Sequence, residues 1–269
     1  MVADPISTHP PGTTPRSDRA AYSMHALGKA GLPRHFTLDG KSYRLTRPIK
    51  HDFFAATGFY EDDIGRRVVL KMSRTQEFAG VPLEWLGKWL CHREMRFYNK
   101  LADLGNVPPV LGTVGRTGFV HAFVEGRPLS RDRPVPDGFF DQLGALLDAL
   151  HARGIAYVDT NKPENILLGD DGRPHLIDFQ ISWDVEEFYN TCLNRWFLRR
   201  LHRADVYHLL KHKKRLRPDE MTPGEMNRAE RKGWLIRAHR FVTKPYFLLR
   251  RTTFKRLRET GRLLPEGSK

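Results

Sequence analysis

Cysteine is almost missing from this chain of 269 residues: there are two, Cys91 and Cys192, far apart and outside any CxxC spacing. Their scarcity excludes a disulfide-stapled scaffold and a thiolate zinc site, fits a reducing compartment, and leaves both thiols as expected core residues. Long apolar runs are missing as well. No window approaches the roughly 18 consecutive apolar residues of a spanning helix, and the N-terminal stretch lacks the apolar run of about 7–15 residues that a secretory signal places behind a basic segment. A cytoplasmic protein is expected, with peripheral attachment at the inner face of a membrane as the remaining membrane option. Acidic residues are scarce at one end only: residues 195–269 hold 22 Lys+Arg and 7 Asp+Glu, net +15, in a chain whose total is +14. The basic excess is therefore C-terminal and points to an anionic partner such as phosphate, anionic lipid or nucleic acid. What the chain does have is 40% hydrophobic residues, enough at this length for one large domain or two lobes.

Residues 1–33 are rich in Pro, Ser, Thr and Gly without periodicity, the composition of a disordered tail. From Phe36 the runs FTL, YRLTRPI, AATGFY and RVVLKMS read as an antiparallel meander. The stretch PLEWLGKWLCHREMRFYNKLADLG follows as a helix stopped at Gly105, and PVLGTVG and GFVHAFVEG are two further strands closing a first lobe, 34–126. The second lobe, 127–269, opens with the amphipathic FFDQLGALLDALHARG, ended by Gly154. Short strands IAYV, NILLG and HLIDFQ come next. Everything beyond Trp183 reads as helical and basic, including a capping box at Thr222-Pro223-Gly224-Glu225.

The stretch LHARGIAYVDTNKPENILLGDDGRPHLIDFQIS, residues 150–182, carries chemistry. A carboxylate, a lysine and an amide share one loop, and a second carboxylate follows a hairpin. Phosphoryl transfer needs such a set: a base for the attacking hydroxyl, with cation ligands close by. The stretch resembles the catalytic core of the protein-kinase-like superfamily, where L-H-x-x-G leads to a loop with Asp, Lys and Asn and then to D-F-G. The pieces here are Leu150, His151 and Gly154, then Asp159, Lys162 and Asn165 before ILL, then Asp178 in IDF. Upstream, VVLK offers Lys71 and REMRFYNKL offers Glu94, in the order of that family.

The resemblance implies a bilobal α+β fold: a small antiparallel-sheet N-lobe with one main helix, and a mostly helical C-lobe without an activation segment. It also implies roles. Lys71 would hold ATP phosphates, Glu94 would orient Lys71, Asp159 would be the base, Lys162 would neutralise the γ-phosphate, and Asn165 and Asp178 would hold Mg²⁺. The chain departs from the pattern in several places. No GxGxxG stands in the first hairpin, which reads IKHDFFAATG with a tip at His51–Phe54. The Asp-to-Asn interval is six, Tyr157 replaces the usual His, DFG reads DFQ, and no A-P-E follows. The short continuation after DFQ is similar to the lipopolysaccharide core kinases, those of 3-deoxy-manno-octulosonic acid and heptose, and to RIO-type atypical kinases.

Bland readings stand beside these. Asp159 and Asp178 are also ordinary turn residues, Glu84 competes with Glu94, and His151 is expected to be structural, bonding backbone. Aromatics of the basic tail, Trp196, Phe197, Tyr207 and Trp234 among them, fall at helical spacings that mark core, so nucleic acid is the weaker partner. A patch around Lys211, Lys213, Lys214 and Arg215 is expected to meet an anionic membrane surface. Three functions compete: an ATP- and Mg²⁺-dependent phosphotransferase with a lipopolysaccharide core sugar as acceptor, a RIO-like or atypical Ser/Thr protein kinase, and an inactive kinase-like scaffold.

Overall fold

The computed structural model describes residues 24–78, 80–187 and 191–230. Most of the expected N-terminal tail and the last basic stretch, 231–269 with Trp234, lie outside the described residues. The upper lobe is one six-stranded antiparallel sheet in the order β1-β2-β3-β4-β6-β5. Its strands are β1 (His35–Leu38), β2 (Lys41–His51), β3 (Ala55–Asp62), β4 (Arg67–Ser73), β5 (Val110–Val114) and β6 (Gly118–Ala122). Tyr43, Tyr60, Val68, Leu70 and Val120 are buried together with Phe36 as the core of this sheet. β4 lies between β3 and β6, which accounts for the near-continuous apolar run VVL.

Helix α1 (Glu84–Lys100) lays Leu90, Cys91, Glu94, Phe97 and Tyr98 against the sheet, the i, i+3/i+4, i+7 pattern of one buried face. Its entry depends on a close approach. A Cβ on Gly87 would stand 1.9 Å from the carbonyl oxygen of Arg74, so only glycine lets the helix lie this near the end of β4 and bring Glu94 into reach of Lys71.

The lower lobe is built on α2 (Phe139–Ala152), whose Phe139, Phe140, Leu143, Leu146, Leu147 and Leu150 are buried. Against it lie a three-stranded sheet of β7 (Gly126–Pro128), β9 (Ile166–Gly169) and β10 (Pro174–Leu176), and a β-bridge pair of β8 (Ile155–Ala156) with β11 (Trp183–Asp184). Helices α3 (Cys192–Leu216) and α4 (Pro223–Glu230) close the described chain. The described residues form the two lobes of an α+β fold that the resemblance implies, an antiparallel sheet with one main helix above a mostly helical lobe. Gly126, where the first lobe is expected to close, pairs with Gly169 of β9 and so belongs to the lower sheet.

Three expectations are corrected. The helix expected beyond Trp183 is not continuous: Trp183–Asp184 pair with β8, Val185–Glu187 form one short 3-10 turn in which Asp184 Oδ1 takes the N–H of Glu186, and the long α-helix begins at Cys192. Thr191 then caps α3, its hydroxyl accepting from the N–H of Asn194 at 3.1 Å. Cys192 is exposed rather than core, being in the first turn of α3; Cys91 is buried as expected. The cationic patch is partly neutralised: Lys213 is buried and paired with Asp141 (3.0 Å) and Glu225 (3.2 Å), and Lys214 pairs with Glu230 (2.6 Å). The capping box at Thr222 is formed, Thr222 Oγ1 accepting from Glu225 N and Glu225 Oε2 from Thr222 N.

Candidate active site

The cleft between the lobes holds three charged side chains from three distant segments. Lys71 Nζ donates to Glu94 Oε1 at 2.7 Å and to Asp178 Oδ1 at 2.7 Å. The register of β4 turns Lys71 towards α1, and the turn after β10 presents Asp178 with φ +63°, a left-handed conformation costly for a non-glycine residue. That turn is held from above: the backbone N–H of Asp178 donates to Tyr98 Oη at 3.0 Å, and Glu94 accepts from the N–H of Phe179. Phe179 is buried edge-on against Tyr98 and Tyr157, at 5.0 and 5.3 Å between ring centres, which packs the Asp178 turn directly onto α1. Glu84 is not in this set; it pairs with Lys88 and Arg116 at the outer start of α1.

Electrostatics follow from burial against this pairing. Burial pushes the Glu94 carboxyl up to about 7 against the pull of Lys71. Burial would also raise Asp178, but Lys71, with Lys50 and Lys162 beyond it, outweighs that and holds the carboxyl at about 2. Burial would lower Lys71; the two carboxylates overcome it and hold the ammonium above its ordinary range. Lys71 and Asp178 are thus charged across the neutral range, and Glu94 is the member that acid protonates first.

The floor is the loop between β8 and β9. Asp159 is 3% exposed, and its Oδ2 accepts from Lys162 Nζ at 2.7 Å and from Asn165 Nδ2 at 3.1 Å. Burial raises the Asp159 carboxyl, and Lys162 only partly offsets it. Tyr157, the residue in place of the usual His, is buried, its hydroxyl donating to the carbonyl of Ile177 and lying 3.2 Å from that of Asn165, which joins the loop to the residue before Asp178. Asp178 and Asn165 supply two oxygen-bearing side chains at the cleft. Two such donors suit Mg²⁺, which is held by one or two carboxylates together with substrate phosphates and water. The Lys71 and Lys162 ammonium groups suit a polyphosphate. All six residues singled out in the sequence stand at this cleft.

A residue absent from that set shapes the floor. Asp205 of α3 is fully buried, and its carboxylate accepts from the N–H of Tyr157 and of Val158 (2.9 Å each), from Thr160 Oγ1 (2.6 Å) and from His151 Nε2 (3.2 Å). Val158, immediately before Asp159, sits at φ +69°, a strained setting for a β-branched side chain. Asp205 supplies the bonds that hold it there. His151 is structural as expected, but its partner is this carboxylate and not backbone.

The roof is the hairpin of β2 and β3. Two of its tip donors are already used: Asp52 Oδ1 accepts from the N–H of Phe54 (2.8 Å) and of Ala55 (2.9 Å). The tip is packed outward on Arg74, whose guanidinium lies 3.9 Å over the Phe53 ring and donates to the Phe53 carbonyl at 2.8 Å. Residues 25–27 fasten its flank, with Ala26 N–H on Asp52 O and Leu27 N–H on His51 Nε2.

Among solved structures, the chain is similar to the Rio2 kinase from Chaetomium thermophilum in its ADP/Mg²⁺-phosphoaspartate complex, with 19% identity, a TM-score of 0.49, and coverage of 66% of this chain and 57% of that one. A second structure of that Rio2 kinase gives 19%, 0.48, 68% and 62%. The BubR1 kinase domain gives 19%, 0.45, 70% and 66%. The chain thus spans 57–66% of the length of these three. No family model matches, and no curated protein matches. The fold assignment rests on the sheet order and cleft described above.

Proposed function

We propose that the chain is an ATP- and Mg²⁺-dependent phosphotransferase with a hydroxyl acceptor. The observation that carries this reading is the junction at Lys71, an ammonium held by Glu94 of the upper lobe and by Asp178 of the lower one at 2.7 Å each. Lys71 would contact the α- and β-phosphates, and Glu94, buried behind it, would keep the ammonium pointed into the cleft. Asp178 and Asn165 would hold Mg²⁺, which when bound supplies neutralisation of phosphate charge. Asp159 would orient the acceptor hydroxyl and take its proton, and burial, which raises its carboxyl, makes it a stronger base than a free aspartate. Lys162, now on Asp159 Oδ2, would shift its ammonium towards the transferring phosphoryl group.

For the acceptor we favour a glycolipid sugar of the lipopolysaccharide core type. In support, α3 begins at Cys192, soon after Asp178, and so leaves little chain to lay out a peptide-binding segment. The net +15 of residues 195–269 would bring the cleft to an anionic membrane face. No described helix is long and apolar enough to cross a membrane. The test is transfer of labelled γ-phosphate from ATP, with cell-envelope glycolipid, protein extract and the chain alone as separate acceptors. Label in the glycolipid sugar supports this reading, label in protein replaces the acceptor with a Ser/Thr hydroxyl, and no label anywhere contradicts phosphotransfer.

A further inference from the structure

The roof of this cleft needs something to meet phosphates, and two of the N–H groups at the hairpin tip are already taken. The N–H groups of Phe54 and Ala55, at the tip, both go to Asp52 Oδ1, and the tip itself is turned onto Arg74. A charged side chain stands just before the tip. Lys50 pairs with Thr57 of β3, and Thr57 in turn pairs with Lys71 of β4. Directly opposed residues of an antiparallel sheet share a face, so Lys50 lies on the face from which Lys71 enters the cleft. Two inter-strand spacings separate their backbones, about 10 Å, room for a phosphate group between the two ammonium heads.

This placement depends on a bulge. The β2–β3 register shifts between Pro48 and Lys50, so Ile49 is left over and Lys50 takes the position opposite Thr57. Without the extra residue Ile49 would hold that position and Lys50 would point to the other face. In the structure the Lys50 ammonium rests on Asp52 Oδ2 at 2.7 Å, with its side chain 54% exposed. It is therefore solvated and able to move. Its charge is felt by the floor: after burial and the nearer lysines, Lys50 is among the groups that lower both Asp178 and Asp159.

We propose that Lys50 is the roof's phosphate contact, a side-chain cation on a bulged strand that replaces the backbone N–H cradle of a glycine-rich loop and takes the β/γ-phosphate portion of a nucleoside triphosphate. The proposal rests on the phosphotransferase reading. It assigns Asp52 two tasks: one carboxylate oxygen closes the tip, and the other parks Lys50 until a phosphate replaces it.

The experiment is calorimetric titration of the full chain with Mg-ATP and, separately, with adenosine, for the wild type, Lys50→Met and Lys50→Arg. Lys50→Met is expected to weaken Mg-ATP about tenfold, which is about 1.4 kcal/mol, with adenosine affinity unchanged and Lys50→Arg near wild type. A wild type that binds Mg-ATP together with an equally strong Lys50→Met overturns the assignment of Lys50 and leaves the phosphotransferase reading in place. Equal losses for Mg-ATP and adenosine overturn it too, by showing damage to the lobe. A wild type that binds no Mg-ATP at all removes both.

Discussion

The floor and the roof of the cleft follow opposite designs. The floor is a strained loop fixed from beneath: Asp205 gives four acceptor contacts to residues 151–160 and holds Val158 at φ +69°, and Asp159, Lys162 and Asn165 are set by it. The roof is a turn closed on Asp52, which takes the N–H groups of Phe54 and Ala55, and its Lys50 is held by a half-exposed ion pair to the same residue. On the proposed reading, residues that would have to stand at fixed distances for proton transfer are over-determined by buried bonds. A group that, on the same reading, would only have to meet a diffuse phosphate charge can sit on a solvated side chain.

The largest effect is expected on the floor. Asp159→Asn should lower turnover by roughly 10²–10⁴-fold, the usual contribution of a positioned base, while Mg-ATP affinity stays near wild type. Asp178→Ala should weaken Mg-ATP binding itself. Near-full activity in Asp159→Asn would move the base elsewhere in the loop 160–165.

Next comes Asp205→Ala, which touches no substrate. It leaves the buried N–H groups of Tyr157 and Val158 unpaired at about 1–3 kcal/mol each, so a loss of roughly 3 kcal/mol in denaturant unfolding is expected, together with a fall in kcat larger than any change in Mg-ATP affinity. Asp52→Ala on the roof frees the N–H groups of Phe54, which water can reach, and of Ala55, which is only part-buried at its bond, and should cost about 1–2 kcal/mol. Equal costs for the two variants would break the contrast between floor and roof.

The pH response sharpens it further. Ionised Glu94 is what orients Lys71, and its carboxyl is pushed up to about 7 by burial, so Mg-ATP affinity should fall as pH drops through about 7, and Glu94→Gln should remove that limb. The stability linkage runs the other way. A carboxyl raised on folding contributes stability that is present below its unfolded value and lost as pH rises through about 7. Asp178, lowered to about 2, contributes above its unfolded value and loses that only in strong acid. Wild-type affinity that is flat from pH 8 to 6 would rule out the role given to Glu94.

The sequence displayed the floor better than the roof, for physical reasons. Asp159, Lys162, Asn165 and Asp178 lie within one short stretch where spacing alone restricts geometry, and Lys71 and Glu94 follow from a strand end and a helix face. Asp205 is far along the chain, in a basic helix where a lone acid looks like surface. Its signal was present: it is the only acidic residue of α3 and falls between Leu198 and Leu209 on the buried stripe. Lys50 was hidden because strand alternation assigns its face correctly only once the bulge at Ile49 is known. Lys213 looked like part of a cationic surface because its partners, Asp141 and Glu225, come from two other helices.

On the proposed reading Lys71 and Asp178 are the two ends of a Mg-nucleotide site, and ligand-dependent stabilisation measures this without knowledge of the acceptor. Wild-type protein in Mg-ATP at a hundred times Kd should gain about 2.7 kcal/mol. A chelator should remove most of that gain, and Lys71→Met and Asp178→Ala should each show little of it. No gain for the wild type at millimolar Mg-ATP, or an undiminished gain in both variants, would contradict the account.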